Sequence, residues 1–284
     1  MDQKGPMTKP LHNHDPTVLS AYLEQHVTGF TGLAGIRRFS DGQSNPTYRI
    51  LDTSGASYVL RAKPPGVLLK SAHAVDREFR VMSALAKTAV PVPKMLHLSC
   101  DDSPMGTQFL VMDYLSGTVF WDPALPESSK SFRTQAYSAL VKTLAALHEV
   151  NPQAVGLQDF GRPGNYFSRQ VSRWTRQYRA SETQARPDMD WTIDWLSQNL
   201  VADDGQVSIV HGDYRLDNVM FDAHSTKLIA VLDWELSTLG HPFSDLAYQC
   251  MGLRLPQDLL IKGLGALDRT AFDIPNEAEY VAQY

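Results

Sequence analysis

The residues best suited to carry a reaction in this 284-residue chain lie in His211-Gly212-Asp213-Tyr214-Arg215-Leu216-Asp217-Asn218, with Asp233 following fifteen residues after Asn218. Two carboxylates and one amide oxygen brought to a point make a hard oxygen set. Mg²⁺ takes such a set and completes its shell with water and phosphate oxygens. One carboxylate can then serve the metal while the other orients or deprotonates an attacking hydroxyl. That division of labour belongs to phosphoryl transfer, where positioning and charge neutralisation do most of the work. A His-x-Asp-x-x-x-x-Asn match arises by accident in roughly one chain in a hundred of this size, so the flanks matter. Ser208 to Val210 reads as a strand entering the loop. Asn218 to Asp222 and Leu228 to Leu232 read as the arms of a hairpin. The bland alternative is a polar turn between strands, since turns favour these residue types.

The elements that must position this loop follow from the rest of the chain. Asp15-Pro16-Thr17 has the form of an N-cap with proline at the first helical position. Three strands are then expected at Ile36 to Ser40, Thr47 to Leu51 and Ser57 to Lys63, a meander. The turn Asp41-Gly42-Gln43-Ser44-Asn45-Pro46 is a candidate phosphate lid. Its small residues let backbone N–H groups approach phosphate oxygens, and Ser44 and Asn45 add side-chain contacts. A plain hairpin turn would read the same way. Arg61 and Lys63 are expected on one strand face, where a cation can hold nucleotide phosphates or else be an edge-strand charge facing water. Val75 to Ala86 reads as a helix whose Glu78 would pair with Arg61 or Lys63, or else face water. Two more strands are expected at Lys94 to Ser99 and Gln108 to Met112. Strand periodicity stops at Asp113 to Gly117, read as a hinge, and backbone groups of Met112, Asp113 and Tyr114 are candidates for bonding a flat base such as adenine. Long helices follow: Phe132 to Val150, Tyr166 to about Ala180 and Asp190 to Leu200. Arg169, Arg173 and Arg176 share one side of the second, either as a solvated basic face or as an attraction for an anionic substrate. Asp245, near a later helix start, is expected to accept backbone N–H bonds from the His211 loop.

Composition narrows the function class. A net charge of −5 argues against nucleic acid as the main partner. Two distant cysteines, Cys100 and Cys250, suggest free thiols in a reducing compartment. Met1 to His14 lacks an apolar core of signal-peptide type, and no apolar run is long enough to span a bilayer, so a cytoplasmic setting is expected. Scattered histidines give no zinc pattern.

Taken together, these stretches resemble the aminoglycoside phosphotransferase and choline kinase superfamily, which has a protein-kinase-like fold. The nearest resemblance is to the kinase-like domains associated with acyl-CoA dehydrogenases. Its carriers are Asp41 to Tyr48, Tyr58 to Arg61, Arg77 to Met82, Trp121 to Pro123, Gly161 to Tyr166, His211 to Asp222 and Asp233 to Tyr248, in order along most of the chain. The resemblance implies an α+β fold with a small β-rich N-lobe over residues 1–114 and a larger helical C-lobe over 115–284. It implies Asp213 as the base or hydroxyl-orienting residue, Arg215 as a cation for the transferring phosphoryl group, and Asn218 and Asp233 as ligands of Mg²⁺. Arg61 takes the place of a usual lysine, with Glu78 as its helix partner, and Met112 to Tyr114 form the adenine hinge. Two departures stand out. Asp41 occupies a usual glycine position in the lid, and the metal motif reads Asp233-Trp234-Glu235 in place of Asp-Phe-Gly.

The expected function is ATP- and Mg²⁺-dependent phosphorylation of a small-molecule hydroxyl. A hydroxyacyl-CoA or related hydroxy acid is the first expected acceptor, and an aminoglycoside or amino alcohol is the alternative. A rival from another class is a non-catalytic nucleotide-binding module partnering an acyl-CoA dehydrogenase. The short stretch between Asp233 and Phe243 leaves little room for a protein-substrate platform.

Overall fold

The computed structural model describes residues 15–39, 45–64, 74–100, 103–259 and 261–284. Helix α1 (Pro16–His26) is capped by Asp15, whose carboxylate accepts the Thr17 N–H at 2.8 Å. Strands β1 (Leu33–Arg38), β2 (Thr47–Asp52) and β3 (Ser57–Ala62) form the expected meander. Helix α2 (Val75–Leu85) follows, then β4 (Met95–Leu98) and β5 (Phe109–Asp113). These strands build one antiparallel sheet in the order β1-β2-β3-β5-β4. Strand β3 ends at Ala62, so Lys63 lies just beyond the strand, where its backbone N–H donates to the Gln108 carbonyl at 3.0 Å.

The hinge reading of residues 113–117 needs correction at both ends. Asp113 is the last residue of β5, and its N–H donates to the Lys94 carbonyl at 3.0 Å. Gly117–Thr118 forms a short strand, β6. Beyond it come α3 (Lys130–Glu149), α4 (Tyr166–Ser181), α5 (Pro187–Gln198), β7 (Ser208–Val210), β8 (Val219–Asp222), β9 (Leu228–Val231), β10 (Thr238–Gly240), α6 (Phe243–Arg254), α7 (Arg269–Phe272) and α8 (Glu277–Gln283). Strand β6 pairs with β8, tying the segment after the large sheet to the β8–β9 hairpin. A Cβ at Gly117 would sit 2.5 Å from the Phe221 carbonyl oxygen, so only glycine permits that approach.

Two apolar cores result. The smaller packs Leu19, Leu23 and Phe30 against Tyr48, Ile50, Leu60 and Phe109 on one face of the sheet. The larger runs from Val59, Leu110 and Met112 through α2 into Leu140, Leu144, Tyr214, Phe221 and Trp234. Sheet and helical regions therefore share one continuous interior. Helix α4 buries none of its residues, so its arginines belong to a solvated face, and Arg169 is spent on the Pro163 and Arg162 carbonyls.

Candidate active site

The His211 loop is held from below by α6. Asp245 stands in the first turn of α6, and its carboxylate accepts the N–H groups of His211 (2.7 Å) and Gly212 (2.9 Å). His148 Nε2 contacts the same carboxylate at 3.2 Å, with Tyr284 at its other ring nitrogen. This is the bracing expected of Asp245. Gly212 adopts φ +85°, and a Cβ there would meet the Leu236 carbonyl oxygen at 2.8 Å. The buried His211 ring lies between Tyr214 and Trp234. Its Nε2 is 2.8 Å from the Leu232 carbonyl, which only accepts, so Nε2 carries the proton and Nδ1 accepts the Asp213 N–H at 3.2 Å.

The hairpin register explains why Asn218 and Asp233 meet. Val219 faces Val231, and the Leu232 N–H donates to the Asn218 carbonyl at 2.8 Å. Asp233 follows in the left-handed region at φ 62°, a conformation aspartate tolerates better than most residues. Trp234, the residue after Asp233, is fully buried and donates its Nε1–H to the Val231 carbonyl at 3.0 Å.

The carboxylate of Asp213 is held on both oxygens. Asn218 Nδ2 donates to Oδ2 at 2.9 Å and also to the Asp213 carbonyl at 2.9 Å. The Tyr248 phenol donates to Oδ1 at 2.8 Å. Arg215 Nε lies 3.2 Å from Oδ1 without hydrogen-bond alignment, and its Nη2 pairs with Asp217 at 2.8 Å. Burial raises the Asp217 carboxyl; Arg215 opposes this, and Asp213 and Asp233 add to it. Burial also raises the Tyr248 phenol, helped by its bond to Asp213 and that residue's charge, so it stays a donor.

On the sheet side, Arg61 reaches the acids. Its Nε is 3.1 Å from Glu78 and its Nη2 is 2.5 Å from Asp233 Oδ1, with Glu235 at 3.8 Å. Glu78 is buried, not solvated, and takes a further bond from Asn45 Nδ2 at 2.9 Å. Burial pushes the Glu78 carboxyl up to about 7; Arg61 opposes this, and Asp233 and Glu235 add to it. Asn45 thus turns its amide nitrogen onto Glu78. Ser44 and the rest of the candidate lid up to it lie outside the described residues. Met112 is nearly buried in β5, and the Tyr114 ring lies under the Arg49 guanidinium at 4.4 Å.

The donor set suits a hard divalent cation. Asn218 spends its amide nitrogen on Asp213 and so keeps its oxygen for a metal, while Asp233 keeps Oδ2. Both line a cavity of about 920 Å³ with Arg215, Asp217 and Tyr248. Its remaining wall is mostly apolar: Phe120, Trp121, Met251, Leu255, Ile261 and Leu264 among others, with Lys262 at the rim 3.1 Å from Asp122. The α4 arginines are not among the residues lining it.

Residues 35–280 match the phosphotransferase enzyme family. The chain belongs to that family. Its fold is that of the protein-kinase-like phosphotransferases. A solved candidate aminoglycoside phosphotransferase from Ralstonia eutropha shares 47% identity and superposes with a TM-score of 0.86, over 96% of this chain and 80% of that one. The streptomycin–ATP–APH(2″)-IIa ternary complex superposes with a TM-score of 0.63 at 18% identity, over 96% of this chain and 84% of that one, a likeness of fold alone. Among curated relatives, mouse acyl-CoA dehydrogenase family member 10 is 44% identical over 92% of this chain and 25% of its own length. Human acyl-CoA dehydrogenase family member 11 is 41% identical over 97% of this chain and 36% of its own length. The chain thus spans about a quarter to a third of those relatives. The family and the 47%-identical neighbour together support a small-molecule phosphotransferase. Among the described residues no helix is long and apolar enough to cross a membrane.

The sequence reading missed three participants. Tyr248 binds the candidate base, Asp217 holds Arg215, and Glu235 adds a third acid near Arg61. For Tyr248 a signal existed: it lies one helical turn after Asp245, hence on the same face.

Proposed function

We propose that this chain transfers the γ-phosphoryl group of ATP, with Mg²⁺, to a hydroxyl of a small molecule. The observation carrying this reading is that Asn218, Asp233 and Tyr248 line one cavity while Asn218 and Tyr248 both donate to the Asp213 carboxylate behind it. In the proposed step the acceptor oxygen forms a bond to the γ-phosphorus as the bond to the β–γ bridging oxygen breaks. ADP leaves, and the hydroxyl proton passes to Asp213, which first orients that hydroxyl. Mg²⁺, held by Asn218 and Asp233, would neutralise charge on the phosphates. Arg215 faces the transferring group. Arg61, fixed by Glu78, and Lys63 serve the remaining phosphates, with Ser44 and Asn45 in the lid. Met112 to Tyr114 hold the base. Because the Asp113 N–H is already engaged by Lys94, base contacts there must use other backbone groups. The same reading places the boundary between the lobes at residues 114 and 115.

A hydroxyacyl-CoA or related hydroxy acid is the proposed acceptor. The mostly apolar cavity wall suits an acyl chain. Its acids are already matched, Asp217 by Arg215 and Asp233 by Arg61, leaving little for a polycation. The names of the relatives point the same way, and we extend them to a functional association with an acyl-CoA dehydrogenase. The test is ATP turnover against hydroxyacyl-CoAs, amino alcohols and aminoglycosides. Turnover is expected with hydroxyacyl-CoAs. A response confined to aminoglycosides would overturn the acceptor and leave phosphotransfer standing. ATP binding with no turnover on any acceptor would instead favour a non-catalytic module.

A further inference from the structure

Asp213 has a limited set of directions in which to meet an acceptor. Asn218 Nδ2 takes Oδ2 from the hairpin side at 2.9 Å, and the Tyr248 O–H takes one lone pair of Oδ1 at 2.8 Å. A carboxylate offers about four such positions, so each oxygen retains one, and Arg215 Nε lies 3.2 Å from Oδ1 without hydrogen-bond alignment. Tyr248 stands on α6 one turn beyond Asp245, which holds the loop backbone through His211 and Gly212. Its neighbour Gln249 donates to the Tyr214 carbonyl of the same loop. One helix therefore fixes both the loop's main chain and the carboxylate it presents. The Tyr248 ring is also part of the cavity wall, beside Arg215 and Met251.

We propose that Tyr248 is a positioning residue with two separable contributions. Its hydroxyl sets the orientation of the Asp213 carboxylate so that the remaining Oδ1 lone pair meets the acceptor hydroxyl. Its ring forms the surface against which an apolar acceptor lies. This assignment rests on the phosphotransfer reading above.

Two variants separate the contributions. Tyr248→Phe keeps the ring and deletes the hydroxyl, and Tyr248→Leu deletes both. The probes are Mg²⁺ with ATP, first with water alone and then with hydroxyoctanoyl-CoA. For Tyr248→Phe, kcat is expected to fall roughly tenfold or more, the scale of a lost hydrogen bond to a charged group, with KM for ATP and the melting temperature nearly unchanged. For Tyr248→Leu the same kcat loss should come with a severalfold higher KM for hydroxyoctanoyl-CoA. A residue that only packs α6 would not produce this split. Full kcat in Tyr248→Phe, or parallel loss of kcat and ATP affinity, overturns the assignment alone. Wild-type protein that hydrolyses ATP but ignores hydroxyoctanoyl-CoA overturns the acceptor and the ring's part, and the fall in hydrolysis for Tyr248→Phe then supports the hydroxyl's part. Wild-type protein inert toward both overturns the phosphotransfer reading and this assignment with it.

Discussion

The two acids proposed to serve transfer and metal binding are held differently. Asp213 sits in a net of directional bonds from Asn218 and Tyr248, above a loop whose amides are anchored on Asp245. Asp233 is about a third exposed, in a left-handed conformation, and held by a single charged hydrogen bond from Arg61. Arg61 in turn rests on Glu78, an acid in the buried seam between sheet and hairpin. Directional bonds fix where an oxygen points. An ion pair on a more exposed carboxylate leaves it able to exchange a guanidinium for a metal ion. The contrast fits one acid that must aim at a hydroxyl and another that must bind a cation.

The largest expected break in that contrast is Asp233→Asn. Removing the charge weakens the metal set while sparing the Asp213 net. Turnover should drop roughly a hundredfold or more, with a raised Mg²⁺ requirement. A metal titration of the rate checks this, and an unchanged Mg²⁺ dependence would remove Asp233 from the metal site.

Next is Asp245→Asn, which attacks the directional side. The carboxylate serves two buried amides and His148, and an asparagine oxygen paired with a donor nitrogen cannot replace it. Stability should fall by about 3 kcal/mol, measured by denaturant unfolding, and turnover should fall with it. Wild-type stability in this variant would contradict the bracing role.

The smallest effect concerns Glu78. Burial pushes its carboxyl up to about 7 from an ordinary 4.5. A carboxyl raised by folding binds more protons folded than unfolded between those values, so its contribution to stability is lost as pH rises through them. Relative to Glu78→Gln, the wild type should lose stability as pH rises across that window. Unfolding midpoints of both proteins across the window check it, and a pH-independent difference would contradict it.

Much of the architecture was legible because it is local. The meander, α2, α3 and the β8–β9 hairpin fall within a few residues of their expected bounds, since each carries its own periodicity and turn residues. Strands β6 and β10 were not legible. They are two and three residues long, contain glycine, and exist only through pairing with β8 and β7. Lys63 was expected on a strand face, but the strand stops one residue earlier. Glu78 was left open between pairing and solvent, although its place in the stripe Val75, Glu78, Met82, Leu85 already marks it as inward-facing. The grip of Tyr248 on Asp213 joins residues 35 apart through the docking of α6, which no local pattern encodes.

The claim on which all of this depends is that Asp213 serves transfer and not nucleotide binding. Single-turnover transfer from ATP labelled at the γ-phosphate, measured beside calorimetric titration of Mg²⁺-ATP, tests it in wild type and Asp213→Ala. For Asp213→Ala, binding within about twofold of wild type and transfer reduced roughly a thousandfold are expected. Equal transfer in the two proteins, or loss of binding and transfer together, would contradict it.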